Sequence, residues 1–330
     1  MGGSVEAGRG GQGRKLRAFD RRLLGRAAVA RRTLAICVTA GLAAALLLLA
    51  QMTLLAAAFP GWYTTMFSGF YLAFLLLLVA LIARGVSFEF RGKRDSPRWR
   101  RAWDAATTYG SLLAPLLIGV ALGNLLHGVP IGADQEYAGG LIDLLNPYSL
   151  FCGVTLVLLC LLHGASYLAL KTDGQVRHRA LQAGRRLGPV AAAAVVGFAV
   201  WTQATAGSGS LPSLPMVVAV LAALTAVWQV GRDRDGLAFA ATAVTMAAVV
   251  VSIFVALYPR VMVSTLGSAN DLTVTNTSSA PYALKVMTVA AAVLVPVVLA
   301  YQGWTYYVFR RRVGGAGTTA DAAGPAGRAR

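Results

Sequence analysis

Three histidines are the first candidates for chemistry in this chain: His127, His163 and His178. A haem iron held between two imidazoles needs both rings at one depth of a membrane or core. His127 closes one apolar run, whereas His163 lies two-thirds of the way along the next. Antiparallel neighbours would set these rings at different heights, so facing imidazoles are not expected and hydrogen-bonded packing is. His178 falls in a basic connecting segment. Cys37, Cys152 and Cys160 all lie inside apolar runs and form no CxxC pair. They read as inert buried thiols, without metal-site or disulfide spacing.

Ionisable groups inside apolar segments usually mark function, and here they are few. Glu89 stands at the edge of an apolar run beside Arg91 and suits an interfacial ion pair, with proton transfer as the sharper alternative. Lys285, Asp271 and Arg260 are the other candidates, as polar contacts on the opposite face. Lys285 follows Pro281 by one turn, where a long side chain can snorkel to water. Gln51, Asn124, Gln203 and Gln302 are uncharged and suit hydrogen bonds between helices. No P-loop, zinc motif, dinucleotide fingerprint or nucleophile elbow is present, and the sequon at Asn276 is a short pattern common by chance. No catalytic or cofactor-binding residue is assigned.

The elements that must position these residues follow from composition. Hydrophobic residues make up 57% of the 330 and charged residues 13%, about half the charged share of a soluble domain. Such a chain has too little polar surface to coat itself and needs the bilayer. A spanning helix takes about 20 mostly apolar residues. Eight runs qualify, at 34–59, 62–83, 108–128, 148–170, 188–206, 212–230, 237–258 and 282–309. Prolines near their ends, among them Pro60, Pro147, Pro189 and Pro281, fit helix starts and stops. The expected fold is all-α and polytopic, two four-helix halves between a basic leader (1–33) and a basic tail (310–330).

The net charge of +17 could suggest nucleic acid, but its placement does not. Of the 30 basic residues, 28 fall in the leader, the tail and every second connection; Arg260 and Lys285 are the exceptions. That alternation fixes orientation in a membrane and predicts both termini on the cytoplasmic side. It also supports the count, since one helix more or fewer would scramble it. Trp62, Tyr63, Tyr148, Trp201, Tyr258 and Tyr282 would form the outer aromatic belt, and Phe90, Trp103, Tyr167, Trp228, Trp304 and Tyr307 the inner one.

Three stretches carry a resemblance: FPGWYTTMFSGFYLAFLLLLVALIARGVSFEFRGK (59–93), NPYSLFCGVTLVLLCLLHGASYLALKTDGQVRHRA (146–180) and the run from Tyr258 to Val313 that begins YPRVMVSTLGSANDLTV. In sequence, order and spacing they resemble subunit II of the cytochrome bd quinol oxidases, over residues 55–313. The resemblance implies a haem-free companion of a haem-bearing subunit I, which carries the three haems, of types b and d. It leaves open whether a structural quinone sits in this chain. The complex would oxidise quinol and reduce oxygen to water in the cytoplasmic membrane of a bacterium. The start departs from the family: residues 34–54 replace its polar W-D-G-N-x-V-W segment, and no acidic residue lies between Arg21 and Phe88. Family carboxylates implicated in a proton path therefore have no counterparts here. The rival class is a secondary transporter, for which Pro215 and Pro296 as helix breaks would count and the scarcity of midplane charge counts against.

Overall fold

The computed structural model describes residues 56–206 and 213–308. The expected first helix lies outside them except for its last turn, as do the leader and the tail. Seven helices among the described residues are long and apolar enough to cross a membrane. The chain is an all-α polytopic membrane protein.

A short α1 (Pro60–Gly69) runs almost straight into α2 (Tyr71–Phe90). Then come α3 (Pro97–His127), α4 (Pro147–Lys171), α5 (Gly174–Ala206), α6 (Leu214–Gly231) and α7 (Asp235–Leu257). These pack in sequence order as antiparallel neighbours, with α7 also returning against α4. They belong to a compact unit built around Ala58–Ala280. The last spanning helix, α9 (Pro281–Val308), belongs mostly to a second unit.

Starts are set by proline and polar caps. Pro60, Pro97 and Pro147 sit in the first turn, where a missing N–H costs nothing. Asn146 Oδ1 accepts from Ser149 N at 2.9 Å and closes the N-terminus of α4. Pro189 differs from expectation: it lies inside α5, not at its start. At 33 residues α5 is about 50 Å long, well beyond the hydrocarbon thickness. Its first half carries Arg177, His178, Arg179, Arg185 and Arg186 as a helical extension where a loop was expected.

Lipid is as apolar as leucine, so these helices associate by close packing and polar contacts. Glycine provides the closest approach. A Cβ on Gly119 would lie 2.7 Å from Gly153 Cα, one on Gly123 2.7 Å from Ser149 Cα, and one on Gly153 2.8 Å from the Leu116 carbonyl. The backbones of α3 and α4 touch along this line. Around it, Leu125, Leu159, Phe198, Ala219 and Ile253 are all buried.

The connections are unequal. Those after α2, α4 and α6 are short, whereas residues 128–146 and 258–280 are long and interlock. The second of them holds a small antiparallel ladder, β1 (Arg260–Met262) with β2 (Leu272–Thr273), and the four-residue α8 (Val274–Thr277). Val129 N donates to Val263 O at 3.0 Å, and Thr265 N returns a bond to Val129 O at 3.0 Å. The two connections thus form one hydrogen-bonded cap over the ends of α3 and α7.

Candidate functional site

The cap gathers three of the polar groups singled out in the sequence, Asp271, Arg260 and Asn276. Asp271 is buried, its Oδ1 accepting from Ser264 N at 2.7 Å while its Oδ2 lies 3.7 Å from Arg260 Nη1. Ser264 Oγ and Asn270 Nδ2 both donate to the Ile131 carbonyl, at 2.9 and 3.2 Å. Asn276 Nδ2 donates to Asp271 O at 3.0 Å. Asp271 therefore pins the second long connection to itself, and Ser264 and Asn270 pin it to the first. A lone buried carboxylate would be costly; a backbone N–H and a nearby guanidinium offset that cost.

Beneath the cap sits Asn124, fully buried. Its Nδ2 donates to Leu144 O at 2.7 Å and to Val120 O at 2.9 Å, and its Oδ1 accepts from Asn146 Nδ2 at 2.8 Å. A bond between helices was expected; the amide instead joins a helix to the loop that begins the next one. Tyr137 packs against Gly69 and donates to Gly140 O at 2.7 Å. Burial, and secondarily the Asp143 charge, push its phenol up to about 12, so it remains a donor at neutral pH.

The other candidates are dispersed. Lys285 is exposed on α9. Glu89 is exposed and pairs one turn along with Lys93 at 3.2 Å, while its neighbour Arg91 turns to Asp104. His127, at the end of α3, stacks on Tyr148. His163 hydrogen-bonds Thr242 at 2.7 Å through Nδ1 and stacks on Phe239. Each histidine has its own partners, and the structure does not bring the two together. Two members of the expected outer belt are core residues: Tyr148 is buried and shares a 2.8 Å hydrogen bond with Thr202, and Trp62 is buried at the end of the bundle. Among the described residues, no group of three or more His, Cys, Asp or Glu side chains is placed to hold a metal ion.

Sequence reasoning missed the opposite end of the bundle. Asp235 is buried and receives two bonds from Arg177, at 3.0 and 3.1 Å, and Arg185 meets Asp233 at 2.9 Å. These pairs tie the extension of α5 to the turn between α6 and α7. Both aspartates stand beside arginines in RDRD (232–235), which signals a charged turn but not its distant partners. The Gly119-x-x-x-Gly123 spacing was also legible, as the usual mark of close helix packing in membranes.

Residues 28–309 match the family model described as cytochrome bd terminal oxidase subunit II. The chain is 43% identical over 263 residues to cytochrome bd ubiquinol oxidase subunit 2 of Bacillus subtilis (strain 168), covering 78% of this chain and 77% of that protein. It is 33% identical over 302 residues to cytochrome bd-I ubiquinol oxidase subunit 2 of Escherichia coli (strain K12), with 78% of each covered. The bd oxidase structure from Geobacillus thermodenitrificans shares the fold, with a TM-score of 0.52 over 72% of each chain and 17% identity. The chain belongs to the cytochrome bd terminal oxidase subunit II family and is a membrane subunit of a quinol oxidase complex.

Proposed function

We propose that this chain is the haem-free companion of a haem-bearing subunit I. In that complex subunit I oxidises quinol and reduces oxygen to water, and this chain supplies a membrane scaffold. The observation that carries the reading is the family match over residues 28–309. The separate engagement of His127 with Tyr148 and of His163 with Thr242 supports it. A transporter reading is not favoured, because the relatives that match over three-quarters of the chain are oxidase subunits.

The complex would sit in the cytoplasmic membrane of a bacterium, with the basic connections and both termini inside. Arg260 and Asp271 then hold the outer cap together, and Glu89 with Lys93 is an exposed ion pair at the inner surface without a part in proton transfer. The test is co-expression with subunit I, followed by visible absorption and oxygen uptake with added quinol. Haem should appear only when subunit I is present, and quinol-dependent oxygen uptake should co-purify with both chains. A Soret band near one haem per chain in this subunit purified alone would overturn the reading.

A further inference from the structure

Between α3 and α4 an apolar groove of about 360 Å³ opens on the surface of the bundle. Tyr109, Leu112 and Leu116 line one wall, and Val154, Val157 and Leu158 the other. It lies in spanning segments, so its ordinary filling is hydrocarbon. What distinguishes it is the end at which α3 begins. Residues on one face of a helix recur every three or four positions. Followed toward the N-terminus, the stripe through Leu116, Leu112 and Tyr109 continues to Ala105, Arg101 and Arg98. Two guanidiniums therefore stand on the face that forms the groove, about two and three turns beyond Tyr109.

Their charge is surplus. The two carboxylates of this segment are committed elsewhere: Asp95 to Arg100 at 2.6 Å, and Asp104 to Arg91. Arg98 and Arg101 are exposed and have no ion pair among the described residues. Arg101 Nε reaches only the Pro97 carbonyl, at 3.3 Å. The N-terminus of α3 adds its own partial positive charge. The antiparallel register that sets Gly119 against Gly153 and Gly123 against Ser149 brings this turn level with the end of α4, where Lys171 lies.

An apolar groove below and uncompensated guanidiniums above match one kind of molecule. We propose that the α3–α4 groove is a binding site for an anionic phospholipid, with an acyl chain along Tyr109, Leu112 and Val157 and the phosphate held by Arg98 and Arg101. The inference needs only the membrane fold and does not depend on the proposed reaction.

An arginine near an anionic surface is worth roughly five-fold in binding, so losing two should weaken phosphatidylglycerol retention by roughly 30-fold. The two-subunit complex is reconstituted in mixed phosphatidylcholine–phosphatidylglycerol nanodiscs and extracted into detergent. Retained lipid is then counted by native mass spectrometry. Arg98→Ala with Arg101→Ala should lose phosphatidylglycerol selectively. So should Val154→Trp, which fills the groove without touching the charges. Arg179→Ala with Arg186→Ala, on the exposed extension of α5, should retain it. Equal loss from both arginine pairs would mean diffuse attraction and overturn the site, as would equal retention of phosphatidylcholine by the unaltered complex. A photoreactive group at position 154 supplies a readout independent of substitution effects on folding. An adduct with phosphatidylglycerol supports the site, and an adduct with a polypeptide means a partner helix fills the groove and overturns it.

Discussion

Asn124 is the residue on which most local geometry converges. Its side chain satisfies the Leu144 carbonyl and the Asn146 amide, and Asn146 in turn caps α4. Replacing it by alanine strands both groups where water is scarce, and each buried polar group left unpaired costs about 1–3 kcal/mol. Asn124→Ala should therefore destabilise the subunit by about 2–6 kcal/mol. The check is the thermal midpoint of the detergent-solubilised complex, which should fall by several degrees; an unchanged midpoint would mean the two groups find other partners. That Asn124 mattered was legible, since an amide inside an apolar run needs a partner. Which partner was not, because Leu144 and Asn146 lie 20 and 22 positions away, across a long connection without periodic pattern. Asp271 follows the same logic. The sequence marked it as a polar group of the outer connections, but its buried bond to Ser264 N depends on how two irregular loops interlock.

At the scale of elements, the α3–α4 seam is where packing has least slack. With no hydrophobic drive between helices in lipid, contact energy depends on how closely the backbones meet. A methyl group at Gly153 would overlap the Leu116 carbonyl, and Pro115 lies next to that contact. Backbone cannot swing aside as a flexible side chain does, so the helices must separate. Overpacking of this kind costs roughly 1–3 kcal/mol for a small insertion. Gly153→Ala should lower the yield of assembled complex, and Gly153→Leu should abolish it. Gly164→Ala, eleven positions along the same helix with open space around it, should leave yield unchanged or raise it slightly. Fluorescence-detected gel filtration of co-expressed subunits would read all three, and equal behaviour of the alanine variants at 153 and 164 would contradict the seam. The helices themselves were readable from apolar run lengths, which fell within a few residues of the described ends of α4, α6 and α7. The extensions were not. Residues 97–107 and 174–187 are too polar to span a membrane, yet they continue α3 and α5 as helix. Hydropathy reports where a helix enters lipid, whereas caps and distant ion pairs such as Arg177–Asp235 set where it ends.

For the whole molecule, orientation is the property on which the reading of every surface depends. Two independent asymmetries run along the chain. Basic residues concentrate in alternate connections, 28 of 30 on one side if eight helices alternate. The long interlocked connections, 128–146 and 258–280, fall on the opposite side and carry Asp134, Glu136, Asp143 and Asp271 against the single Arg260. Lysine and arginine in short connections hold those connections in the cytoplasm, and acidic residues contribute little to the choice. The cap should therefore face outward, and the ion-paired ends of α5 and α7 inward. A reporter inserted at Gly139 is expected to report the outside, and one fused after Val313 the cytoplasm. Gly139 itself packs tightly against Pro130 and Tyr137, so an insertion there disturbs the cap. A single cysteine at Asp134, an exposed loop position, gives the same answer without an insertion. It should react with a membrane-impermeant maleimide in intact spheroplasts, while one at Arg179 should react only after permeabilisation. Of the three native cysteines, Cys152 and Cys160 are buried or half-buried in α4, which keeps their background low, and Cys37 is replaced by serine in both variants. Labelling at Arg179 but not at Asp134 in intact cells would invert the topology, moving the α3–α4 groove and its arginines to the outer leaflet and the cap to the cytoplasm.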